Sequence, residues 1–217
     1  MTVRLEGFHA VKHALRFAPA LVDTVEVEDL DAVMALAARL APDVVEPLRR
    51  RAVPADVDHP TGVQAQARRP GEDRTVLERR AAPLLVLERP RHAGNAGAAV
   101  RVAAAAGASG VVTTGDLDPW HPAVLRGSAG LHYALPVLRA DPADVVGPLM
   151  VLDAGGAPLT HLPDDAVLVV GSERSGVGAE LRERADAVVA LPMRAGVSSL
   201  NLATAAAAAL YAWRLRR

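Results

Sequence analysis

The strongest constraint on this chain is a set of short, uninterrupted apolar runs in its second half. Leu84-Leu85-Val86-Leu87, Val111-Val112, Leu149-Met150-Val151-Leu152, residues 167–170 and residues 188–191 are apolar at every position. A strand wetted on one face alternates apolar with polar side chains, whereas a continuous run must be covered on both faces. Helical patterns separate these runs, at 98–106 with Gly107 behind it, at 180–185, and from about Leu200 to Arg214. Buried strands alternating with helices predict an α/β fold on a mostly parallel sheet. The alanine-rich stretches all fall inside helical patterns, where small side chains let a helix approach the sheet closely.

The first 70 residues read differently, as a small α/β unit. Residues 7–17 suit a short helix, 22–27 a strand, and 30–40 an amphipathic helix; 62–67 alternates like an edge strand. Arg68-Arg69-Pro70-Gly71-Glu72-Asp73-Arg74 is polar, rich in turn residues and free of periodicity, so it reads as a linker. The expected division is a domain over 1–75 and a second over 76–217. The chain has no cysteine, which excludes disulfides and thiolate chemistry and fits a reducing, cytoplasmic setting. No run of roughly eighteen apolar residues predicts a membrane span, and Arg4 and Glu6 interrupt any secretory signal. A net charge of −1 gives no general support to a nucleic-acid partner. Arginines at 49–51, 68–69, 79–80, 89 and 91 suit either a solvated surface or a phosphate-facing patch. His9 and His13 share a helical face with no third ligand in view, so no metal site is expected.

Asparagine is nearly absent from the chain, occurring only at Asn95 and Asn201. Each lies in a loop following an apolar strand, and each could be an ordinary cap. Between them Gly171-Ser172-Glu173-Arg174-Ser175-Gly176 follows the most apolar strand, placing Glu173 where ligands bind in parallel sheets. Alternatively, Glu173 is an N-terminal acid for the helix at 180–185. Ser198 or Ser199 would cap the last helix. Neither GxGxxG nor a phosphate-binding GK[ST] loop occurs, which removes the main support for a dinucleotide reductase or an NTPase.

Asn95-x-Gly97-Ala98-x-x-Arg101, Gly171-x-Glu173-x-x-Gly176 and Leu191-Pro192-Met193 followed by Ser198-Ser199-Leu200-Asn201 resemble the three motifs of SpoU/TrmH-type RNA 2′-O-ribose methyltransferases. They occur in the family's order and cover residues 84–217. The stretch His121 to Gly130 is also similar to the family, and Glu6-Gly7-Phe8-His9-Ala10-Val11 with Gly62-Val63-Gln64-Ala65 resembles an L30e/L7Ae-like RNA-binding domain. Val102 departs from the pattern, standing where serine or threonine usually follows the motif arginine.

This resemblance implies a SPOUT α/β fold with a deep C-terminal trefoil knot, a homodimer, and S-adenosylmethionine as cofactor. It implies methyl transfer to a ribose 2′-hydroxyl of structured RNA, ribosomal in preference to transfer RNA, with a non-catalytic RNA-binding relative as the rival. Arg101, Asn95, Glu173, Ser199 and Asn201 would form the catalytic set. Gly171, Glu173, Gly176, Leu191, Met193, Ser199 and Leu200 would hold the cofactor. Arg101 would grip a phosphate and favour the alkoxide, since a guanidinium holds its proton too tightly to serve as a general base.

Overall fold

A computed structural model describes residues 1–172 and 174–217. The N-terminal part runs β1 (Thr2–Glu6), α1 (Phe8–Phe17), β2 (Val22–Val27), α2 (Leu30–Leu40), α3 (Val45–Arg51), β3 (Ala52–Pro54) and β4 (Val63–Arg68). The remainder runs β5 (Leu84–Leu87), α4 (Ala93–Ala106), β6 (Gly110–Thr113), α5 (Pro122–Ser128), β7 (Val137–Arg139), β8 (Leu149–Pro158), β9 (Val167–Val170), α6 (Ala179–Glu183), β10 (Ala187–Ala190) and α7 (Leu202–Arg214).

The second part is the expected parallel sheet. Its order is β10-β8-β9-β5-β6-β7, and every neighbouring pair is parallel. The apolar tetrads β5 and β9 sit centrally and are buried at all four positions. Leu85, Leu87, Leu168 and Val170 point into a core with α4 and α7. Leu84, Val86, Val167 and Val169 face the opposite core with Val177 and Leu181. The period of two thus divides one apolar run between two cores.

Helix α4 begins at Ala93, five residues before the expected start. Gly94 and Gly97 lower the local helix propensity and disguise the first turn. Packing overrides that cost, because a Cβ on Gly97 would lie 2.8 Å from the Gly127 Cα of α5. Helices α4 and α5 approach there backbone to backbone.

The N-terminal sheet has the order β1-β4-β2-β3, with β4 antiparallel to both neighbours. The strand expected at the edge is therefore central. Its glutamines mislead: Gln64 is buried, and its amide groups bond Arg4 at 2.6 Å and Glu26 at 2.5 Å. A polar side chain that is fully paired reads in sequence like a wetted one.

The two parts share a core across the expected linker. Trp120, Leu125 and Tyr133 pack into the N-terminal cluster with Leu5, Phe8 and Val11. Arg69 pairs with Asp118 at 3.1 Å and lies over the Trp120 ring, while the His13 Nδ1 is 2.7 Å from the Ala129 carbonyl. Among the described residues, no helix is long and apolar enough to cross a membrane.

Candidate active site

At the carboxyl edge of the parallel sheet, residues 152–154 of β8 and the loops after β9 and β10 enclose a cavity of about 530 Å³. This is where an α/β sheet presents ligands, and the size lies within the range of roughly 300–1,000 Å³ usual for small-molecule sites. Leu152, Val170, Leu191, Met193 and Leu202 supply apolar walls, and Asp153, Ser172, Ser199 and Asn201 supply polar groups.

Each loop is shaped by local chemistry. Ser172 and Gly176 exchange two backbone hydrogen bonds, each of 3.1 Å, closing a tight turn behind β9. A Cβ on Gly171 would collide with the Gly176 carbonyl group, so the motif glycine permits that closure. Glu88, directly after β5, holds the same loop from outside. Its backbone N–H donates to the Val170 carbonyl at 2.9 Å, and its carboxylate accepts from the Gly178 N–H at 2.7 Å.

Asn201 opens α7, where its Oδ1 accepts from the Ala203 N–H at 2.9 Å. The cap is the asparagine, not Ser198 or Ser199; both serines line the cavity. The remaining amide of Asn201 donates to the Asn95 Oδ1 at 3.0 Å. Asn95 lies inside the first turn of α4, whose N-cap is His92. The two asparagines of the chain therefore meet, 106 residues apart in sequence.

Gly171, Gly176, Leu191, Met193, Ser199, Leu200 and Asn201 all line the one cavity, and Asn95 joins through Asn201. Glu173 lies outside the described residues. Arg101 is not brought to the cavity. It is exposed midway along α4, on the side of α1, where it adds to burial and Lys12 in lowering the His9 pKa.

Sequence reasoning missed Leu152 and Asp153, although an aspartate at the carboxyl end of an apolar strand was a usable signal. It also missed Glu88. Several arginines weighed as phosphate contacts serve the fold instead. Arg51 donates to the Val22 and Pro47 carbonyls, Arg68 to Asp23, and Arg80 to the Asp165 and Leu77 carbonyls.

The SpoU rRNA methylase family model matches residues 82–211. The chain is 29% identical over 227 residues to a 23S rRNA (uridine(2479)-2′-O)-methyltransferase of Streptomyces viridochromogenes, covering 96% of this chain and 75% of that protein. It is 28% identical over 228 residues to a 23S rRNA (guanosine(2553)-2′-O)-methyltransferase of Bacillus subtilis, covering 97% and 87%. An AdoMet-bound rRNA methyltransferase of Sinorhizobium meliloti superposes with a TM-score of 0.73 at 25% identity, over 99% of this chain and 87% of that one.

Proposed function

Because the chain belongs to the SpoU rRNA methylase family, we propose that it transfers a methyl group from S-adenosylmethionine to a ribose 2′-hydroxyl of ribosomal RNA. The observation that carries this reading is that the second and third motif loops line one cavity, with the Asn95–Asn201 bond joining the first motif to the third.

The cavity fits the cofactor chemically. Its apolar walls suit an adenine ring, and the backbone-rich turns at Gly171, Gly176, Leu191, Met193 and Leu200 suit the nucleoside's polar edges. Ser199 and Glu173 complete the proposed binding set. When bound, S-adenosylmethionine supplies an activated methyl group. The chain's own residues align the ribose and stabilise the alkoxide that develops as the 2′-hydroxyl loses its proton. Asn95, Asn201, Ser199 and Glu173 form the polar surround, and Arg101 holds the adjoining phosphate.

Arg101 stands apart from the cavity of its own chain, which supports a homodimer in which one protomer's arginine serves its partner's cavity. Val197 and Leu200, exposed at and beside the rim, are available for such an interface. Helix α7 does not itself call for a partner, since its apolar side is already buried within the chain. The wider reading comprises a knotted SPOUT domain over 76–217, an L30e-like RNA-binding domain over 1–75, a cytoplasmic setting and no metal. Mapping 2′-O-methyl groups in ribosomal RNA from a strain lacking this protein tests it. One lost methyl group, restored in vitro by the purified protein and cofactor, is the expected result; an unchanged map defeats the ribosomal assignment.

A further inference from the structure

A second cleft opens on the same sheet edge, between the loops after β5 and β6. It has a volume of about 480 Å³ and is lined by Arg89, Pro90, Arg91, Gly115, Asp116 and Leu117. Arg89 has φ of 47°, a left-handed backbone that residues with a Cβ rarely adopt. Its N–H is held by Thr114 Oγ1 at 3.1 Å. Gly115 faces it, and a Cβ there would lie 3.0 Å from the Arg89 Cγ, so the neighbouring loop leaves room for this side chain.

Arg89 is also tied to the cofactor loop. Its Nη2 is 3.1 Å from the Glu88 Oε1, while the other Glu88 oxygen accepts from the Gly178 N–H at 2.7 Å. A Cβ on Gly178 would come within 2.6 Å of Nη2 and 2.8 Å of Oε1, so only glycine lets the pair close over the loop. The Glu88 side chain is 6% exposed and that of Arg89 55% exposed. One side of the guanidinium is thus engaged by a buried carboxylate, and its remaining donors face solvent in the cleft. Five N–H groups in a planar fork allow one arginine to hold a carboxylate and a phosphate together.

We propose that this cleft is a nucleotide subsite for the RNA strand flanking the methylated ribose, with Arg89 gripping its phosphate and Glu88 coupling that grip to loop 171–178. The inference rests on the methyltransferase reading and extends it. Arg89 supplies donors for phosphate oxygens, and Asp116 supplies an acceptor for a ribose hydroxyl or base amino group. That mixture suits a nucleotide better than a bare anion. Glu88 acts through the loop and is a positioning residue.

The test uses the full chain with 23S rRNA from a strain lacking it, and inorganic phosphate as the competing probe. Arg89→Ala should weaken RNA binding about tenfold, the scale of a charge-assisted hydrogen bond. It should lower the salt slope of binding by about one unit. Affinity for S-adenosylhomocysteine without RNA should stay within about twofold of wild type. Arg89→Gly removes the side chain and eases the left-handed backbone at once, so it should repeat the RNA defect in a fully folded protein. Glu88→Gln should leave most RNA affinity but abolish any change that RNA binding produces in cofactor affinity. RNA affinity and salt slope unchanged in both Arg89 variants overturn the subsite. Equal displacement of RNA by millimolar phosphate in wild type and Arg89→Gly also overturns it. Because these are binding measurements, they judge the cleft even if wild type transfers no methyl group, an outcome that would sink the parent reading alone.

Discussion

Asn201 serves two helices at once: its Oδ1 caps α7 through Ala203 and its Nδ2 donates to the Asn95 Oδ1 of α4 at 3.0 Å. A single amide thus fixes the third motif loop against the first. Loss of the cap costs about 1 kcal/mol, and loss of the amide bond a similar amount. Asn201→Ala should therefore destabilise the chain by about 2 kcal/mol, and Asn95→Ala by about half as much. A double-mutant cycle in urea should yield a coupling of about 1 kcal/mol. Additive effects within a few tenths would mean that the bond contributes nothing.

How far the sequence reaches can be judged from such pairs. The tetrads at 84–87 and 167–170 declare themselves, because nothing but burial on two faces explains four consecutive apolar residues. Strands β3 and β7 have three residues each, too few for any period to register. The start of α4 and the cap of α7 are misplaced for a different reason. Gly94 and Gly97 look like loop until α5 is seen packed on them, and serine and asparagine cap equally well, so composition cannot rank Ser199 against Asn201. The motif residues point to one cavity. Nothing in the order of residues reveals that Arg101 lies apart from it, or that Arg51, Arg68 and Arg80 spend their donors on carbonyl and carboxylate oxygens.

His132 should make stability pH-dependent. It is fully buried beside Trp120, its Nε2–H donating to the Pro119 carbonyl at 2.8 Å and its Nδ1 lying 2.8 Å from the Ser128 Oγ. Burial lowers its pKa from 6.5 to about 4. The unfolded chain therefore takes up a proton that the folded chain refuses. Stability is fully present above pH 6.5 and falls as pH drops towards and through 4, by at most about 3 kcal/mol. Urea midpoints followed by tryptophan fluorescence between pH 7 and pH 4 should decline. In His132→Gln that part of the decline should vanish; an identical slope in the variant would assign it to other groups.

The junction between the two parts should be rigid, and Gly130 is its most sensitive point. Its φ is +74°, and a Cβ there would lie 2.7 Å from the Ala10 carbonyl oxygen of α1. Gly130→Ala combines left-handed strain with a backbone collision and should cost about 2 kcal/mol or more. For a chain of this size that is a fall in Tm of several degrees. Deleting 1–75, by contrast, would strand Trp120, Leu125 and Tyr133 in water. The truncated chain should aggregate or melt early, so RNA recognition by the N-terminal part is better tested with surface substitutions. A soluble truncated chain with the Tm of the intact one would show that the shared core contributes little.

Arg101 separates the dimeric site from a monomeric one. Its side chain is exposed on α4 and, among the described residues, makes no hydrogen bond or ion pair. Arg101→Ala should then leave folding within about 0.5 kcal/mol of wild type, as surface substitutions do. If the guanidinium holds a phosphate and favours the ribose alkoxide, the same change should abolish methyl transfer with cofactor affinity intact. Arg101→Lys should rescue poorly, because an ammonium lacks the planar fork. The cross-protomer arrangement adds a stricter test. Gly171→Val should block the cofactor cavity of its own protomer, where even a Cβ collides with Gly176. Mixed and re-annealed Arg101→Ala and Gly171→Val chains should recover activity, since some heterodimers pair an intact cavity with an intact Arg101. Neither variant should be active alone. Single-turnover methylation before and after mixing measures this. Recovery places Arg101 in the partner's site; no recovery, with heterodimers shown to form, places it in its own; full activity of Arg101→Ala removes it from the mechanism.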